Sequence, residues 1–153
     1  MADREWYFED FGVGQVTTTM GRTVTEADIV NFVTFGGIFE ELFLNAHYAR
    51  ESGLFKNRVA PGLLALVLGE GLYILSGHTH HGRALLGFDE VRLTAPVLAG
   101  DTIHEEVTVI EARPSQSRPG HGVLTLAHRV VNHEGVEVMH YRSARLIEGR
   151  PRP

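Results

Sequence analysis

The chain contains no cysteine, so disulfides, thiolate metal sites and cysteine nucleophiles are all excluded. Positive charge is in deficit, with 14 Lys and Arg against 19 Asp and Glu. The resulting formal net charge of −5 gives no electrostatic reason to expect nucleic acid as a partner. No apolar run is long enough to span a bilayer, so no membrane partner is expected. The first six residues are polar and acidic rather than signal-like, and a cytoplasmic location is the expectation. No repeat, low-complexity tract or linker interrupts the 153 residues, a length that suits one domain spanning 1–153 with a substantial core.

What is present is organised around residues 60–77. After Pro61 and Gly62 this stretch is apolar on nearly every face, with Glu70 as its only ionisable side chain. Such a pattern predicts a central helix over about residues 62–76, buried on all sides by the rest of the chain. Its first backbone amides, beginning at Gly62, form a site for a negative or polarised oxygen.

Upstream, residues 5–12 hold three consecutive aromatics, Trp6, Tyr7 and Phe8, and read as a lid or anchoring segment. Gln15 to Val24 is rich in threonine and β-branched residues and predicts a first strand. Thr25 followed three residues later by Asp28 predicts a helix start, and Gly36-Gly37 its end. A loop or short turn over 38–44 then leads to a short helix from Asn45 to Arg50, stopped at Ser52-Gly53. Downstream of Arg83 come strands over 84–93, 102–111, 123–131 and 136–147. The last two are joined by a hairpin turn with Gly135 at a position needing positive φ. One buried helix against a curved antiparallel sheet is an α+β architecture, and a sheet wrapped around a helix is the hotdog fold.

Three phrases carry a family resemblance. Residues 7–15 (YFEDFGVGQ), 22–32 (RTVTEADIVNF) and 93–102 (LTAPVLAGDT) are similar, in this order, to stretches of the MaoC-like acyl dehydratases and (R)-specific enoyl-CoA hydratases. The resemblance implies a hotdog protein acting on, or binding, an acyl-CoA or acyl-carrier thioester. It also implies a homodimer or larger homo-oligomer, and no cofactor beyond the coenzyme A of the substrate.

The catalytic loop departs from that family. Its Gly-Asp-x-Asn-Pro-x-His motif aligns with Gly37 to Phe43, which puts Ile38 at the aspartate position and Phe43 at the histidine position. Neither side chain moves a proton. Glu40 and Glu41 stand in the same loop, either as a solvated pair or with one of them, Glu40 first, serving as general base. Glu70 is either paired with an arginine or at a polar interface, or is a catalytic carboxylate, because an unpaired buried carboxylate is costly.

Gly62 is the expected oxyanion donor, and Phe39, Phe43, Asn45, His47, Pro61 and Leu63 are expected along the substrate. His78, His80 and His81 resemble a metal tract, yet without a carboxylate at ligand spacing they read as surface residues, and no metal is expected. His104, His128 and His140 are expected to face solvent or an edge. Lys56, Arg58 and Arg83 read as surface bases able to meet coenzyme A phosphates. Three functions are compatible with this set: a hydratase or dehydratase with a non-standard acid/base set, a hotdog thioesterase using Glu70, and a non-catalytic acyl-CoA-binding subunit.

Overall fold

The computed structural model describes residues 5–151. A short 3-10 turn at Phe8–Asp10 precedes strands β1 (Val16–Thr18) and β2 (Arg22–Thr23). Helices α1 (Glu26–Gly36), α2 (Glu41–Leu44), α3 (Ala46–Glu51) and α4 (Gly62–Leu75) follow. Strands β3 (Gly82–Leu93), β4 (Thr102–Pro114), β5 (His121–Asn132) and β6 (Glu137–Glu148) complete the chain.

The six strands form one antiparallel sheet, ordered β1-β4-β5-β6-β3, with β2 also on β4. This is the expected hotdog arrangement, with α4 as the central helix. The expected first strand is broken in two because Thr19–Gly21 leave the ladder, and the Thr19 hydroxyl accepts from the Glu105 N–H at 2.9 Å.

Local chemistry explains the helix ends. Thr25 and Asp28 form a reciprocal capping box on α1, and Gly37 closes it at φ 67°. Asn45 caps α3 by accepting from the Tyr48 N–H at 2.9 Å. Gly135 occupies its hairpin turn at φ 79°, a conformation that costs glycine nothing. The aromatic segment before β1 is an anchor. The Phe8 ring lies directly on Gly122, where any Cβ would collide with it, and Arg150 pairs with Asp10 at 2.8 Å. Trp6 and Phe8 pack onto a cluster that includes Phe11, Tyr73, Leu124 and Ile147.

The prediction that α4 is buried on all sides needs correction. Leu64, Ala65, Leu68, Leu72 and Tyr73 face the sheet and core, whereas Leu63, Val67 and Ile74 are 60%, 53% and 53% exposed. The sheet covers one side of the helix only. Every residue of β3 is exposed as well, and its outer edge has no neighbouring strand among the described residues. No helix among the described residues is long and apolar enough to cross a membrane.

Candidate active site

A cavity of about 390 Å³ opens at the start of α4. Gly62 and Ala65 of α4 line it together with the β3 end and following turn from Leu93 to Val97, and Phe55, Val59, Ala60 and Val138 complete the lining. Pro61 precedes the helix in extended backbone at φ −53° and ψ 139°, which turns the chain into α4 with the Gly62 N–H at its first position. That amide has no carbonyl one turn back to bind and points out of the helix at the positive end of its dipole. A Cβ here would press on the exposed Leu93 side chain, which would have to swing aside. The combination can hold a carbonyl oxygen at the helix terminus with hydrocarbon beneath it.

The other candidates do not all converge on Gly62. Glu40 and Glu41 are exposed and line a separate depression with Leu42, Tyr48, Ser52, Gly53 and Leu54. Phe39 is exposed, His47 and Leu63 likewise, and the Asn45 side chain is engaged in capping α3. Phe43 packs half-buried against the main core cluster, while Ile38 folds back over Gly36. Both dyad positions thus hold packed apolar side chains.

Arg58 departs from the expectation of a surface base. It is buried, because its guanidinium reaches back to donate to the Phe43 carbonyl at 2.6 Å and faces Glu26 at 3.7 Å. It ties the acidic loop to the chain that enters α4.

Glu70 lies eight residues beyond Gly62, roughly 12 Å along the axis at 1.5 Å per residue. It forms an ion pair with Arg145 and contacts the Tyr141 hydroxyl at 2.9 Å. The same hydroxyl lies 2.6 Å from the Glu105 carboxylate, so one phenol proton serves two carboxylates. Glu105 is fully buried and 3.2 Å from His128 Nδ1, whose Nε2 meets the Ser143 hydroxyl at 2.8 Å. The His128 ring stacks on Tyr141 with centroids 4.2 Å apart. Burial, then the charges of Glu105 and Glu70, push the Tyr141 phenol far above its ordinary range, so it stays protonated. Burial likewise raises Tyr73, to about 12.

The Glu70–Arg145 pair is the arginine-paired alternative expected for Glu70; its extension through Tyr141, Glu105 and His128 was not anticipated, and His128 corrects the expectation of a solvent-facing or edge histidine. β5 lies between β4 and β6, so its helix-facing side chains have no route to solvent. The signal was present in the alternation. Glu105 shares its strand phase with Ile103, Val107 and Val109, and Tyr141 and Arg145 share theirs with Met139 and Ile147.

The histidine tract does not gather. His78 packs on Trp6 with centroids 4.3 Å apart, and His81 stacks on Tyr7 at 3.9 Å. Among the described residues no cluster of His, Asp and Glu is arranged to hold a metal.

A curved sheet on one helix, with an apolar cavity at that helix's start, defines a hotdog-fold protein. A family model described as mesaconyl-CoA hydratase matches residues 2–152, and the chain belongs to that family. The chain is 35% identical over 102 residues to Protein MaoC of Klebsiella aerogenes, covering 67% of this chain and 30% of that one. Against a mesaconyl-CoA hydratase of Haloarcula hispanica it is 33% identical over 110 residues, covering 71% and 30%. The matched region is thus less than a third of the length of either relative. A solved MaoC-like dehydratase from Rhodospirillum rubrum superposes with a TM-score of 0.84 at 27% identity, covering 95% of this chain and 99% of that one.

Proposed function

We propose that the protein adds water to, or removes it from, the 2,3-bond of an acyl-CoA thioester, using an acid/base set that differs from the usual aspartate and histidine. The observation that supports this reading is the apolar cavity lined by Gly62, the first residue of α4. In hydration, a carboxylate takes a proton from water as the oxygen bonds to C3. The π electrons move to C2 and the thioester oxygen, where the Gly62 N–H stabilises the enolate-like charge. A proton then returns to C2. Glu40 is the leading candidate for the carboxylate and Glu41 the second, both on a loop tethered through Arg58 to the strand-like entry of α4. No cofactor is invoked beyond the coenzyme A of the substrate, and a cytoplasmic setting suits such thioesters. The exposed stripe of α4 and the open β3 edge are read as the face on which a second copy docks.

A second reading is favoured by one observation, that Glu40 and Glu41 line a depression separate from the cavity beside Gly62. In it, the chain binds the thioester and another polypeptide supplies the acid and base. A thioesterase using Glu70 is disfavoured by the Arg145 pair and the distance from Gly62.

The test is incubation with 2-enoyl-CoA and 3-hydroxyacyl-CoA thioesters, read by mass spectrometry for gain or loss of one water. Proline is tolerated at a first helical position, so Gly62→Pro deletes the amide donor with the helix retained. It should lower turnover about 10²–10³-fold, while Gly62→Ala, which adds bulk but keeps the donor, should lose far less. Equal losses in the two variants would remove the oxyanion role from Gly62.

A further inference from the structure

Between α4 and the sheet lies a group of ionisable side chains that the proposed chemistry does not use. The Glu105 carboxylate lies beside Gly69 of α4, and both it and the His128 ring are closed off from solvent by this chain alone, each 0% exposed. His128 Nδ1 is 3.2 Å from Glu105 Oε1, and Glu105 Oε2 has no hydrogen-bond partner among the described residues. Four other titratable groups face the pair or its neighbours. From α4, Glu70 shares the Tyr141 hydroxyl with Glu105, and Tyr73 meets the His128 ring edge-on at 5.6 Å. From β6, Tyr141 stacks on His128, and Arg145 is engaged by Glu70. His78 reaches only the far side of this group, stacked on Tyr73 at 6.0 Å.

We infer that Glu105 and His128 together hold one proton at and above neutral pH, which makes the contact between α4 and the sheet sensitive to alkali. The proton makes the pair either an imidazolium facing a carboxylate or a neutral ring facing a carboxylic acid. Without it, a carboxylate with no countercharge is left in a site that excludes water, the costliest way to bury such a group. The tyrosines do not release a proton in its place, because burial raises Tyr73 to about 12 and Tyr141 further still. The flat stack of His128 on Tyr141, with planes 7° apart, also suits a cationic ring. In the unfolded chain a glutamate and a histidine have both lost their protons above about pH 6.5. Folding there takes up one proton, so stability falls as pH rises. This inference does not depend on the hydratase reading.

The experiment is urea unfolding of the full chain and of Glu105→Gln between about pH 6.5 and pH 9, at one protein concentration. The amide of Gln is uncharged without an added proton, and the remaining histidines contribute equally to both proteins. The ratio of the wild-type to the Glu105→Gln unfolding constant should rise about tenfold per pH unit, the slope of one proton, until the folded pair releases it. A ratio that is flat or falls with pH overturns the inference. Native-state NMR of labelled glutamate carboxyls and histidine rings at about pH 7.5 tests it without a substitution. Either a protonated His128 or a protonated Glu105 supports the inference, and an ionised Glu105 beside a neutral His128 overturns it.

Discussion

Replacing Glu70 with alanine separates a structural carboxylate from a catalytic one. In the folded chain the Glu70 and Arg145 side chains are 14% and 9% exposed, so the pair is screened little by water. Removing Glu70 strands the guanidinium, one nitrogen of which, Nε, already lacks a hydrogen-bond partner. It also takes one acceptor from the Tyr141 hydroxyl. Breaking a buried pair from one side costs about 3–5 kcal/mol. For a domain of this size each kcal/mol moves the midpoint about 2–4 °C, so Tm should fall by about 6–20 °C. Thermal unfolding by circular dichroism measures this at one protein concentration, since any oligomer would shift the midpoint by mass action. The double variant Glu70→Ala with Arg145→Met should recover part of the loss, because no charge is then left buried alone. A Glu70→Ala protein with wild-type Tm but no thioester chemistry would falsify the structural assignment and return Glu70 to the active site.

Two glycines of α4 should respond with opposite signs. A Cβ on Gly69 would sit 2.9 Å from Glu105 Oε1 and 3.3 Å from Val130 Cγ2, whereas at Gly71 it meets nothing within 4 Å. Gly71→Ala should therefore stabilise by about 0.5–1 kcal/mol through helix propensity. Gly69→Ala should destabilise, since overpacking at about 1–3 kcal/mol outweighs that gain; urea unfolding of the two variants checks the signs, and stabilisation by both would refute the packing described. The Asp28 carboxyl provides a pH test. Burial alone would raise it, but the Thr25 amide and hydroxyl and then Arg22 outweigh burial and hold it below its ordinary value. The unfolded chain then binds this proton more readily, so the contribution is full above the ordinary carboxylate range and fades as pH falls through the lowered value. The stability gap between wild type and Asp28→Asn should begin to close as pH falls to the ordinary carboxylate value of about 4 and go on closing below it; a gap that widens on acidification contradicts the capping box.

The elements themselves were legible because their causes are local. Thr25 with Asp28, Gly37, Asn45, Pro61 and Gly135 each act on backbone within a few residues, and period-2 alternation marks the long strands wherever they pair. The hotdog arrangement followed from one long apolar segment flanked by those strands, and Gly62 as a free helix amide followed from its place after Pro61. Tertiary structure decided the rest. Which side of α4 stays uncovered depends on how far a single sheet reaches around it, and hydrophobicity alone does not report that for Leu63, Val67 or Ile74. Arg58 reads as a surface base until the fold brings the Phe43 carbonyl to it across fifteen residues of chain. Glu70, Glu105, His128, Tyr141 and Arg145 come from α4 and three strands, and a carboxylate's environment is set by neighbours whose sequence separations, such as 75 residues between Glu70 and Arg145, carry no local signal.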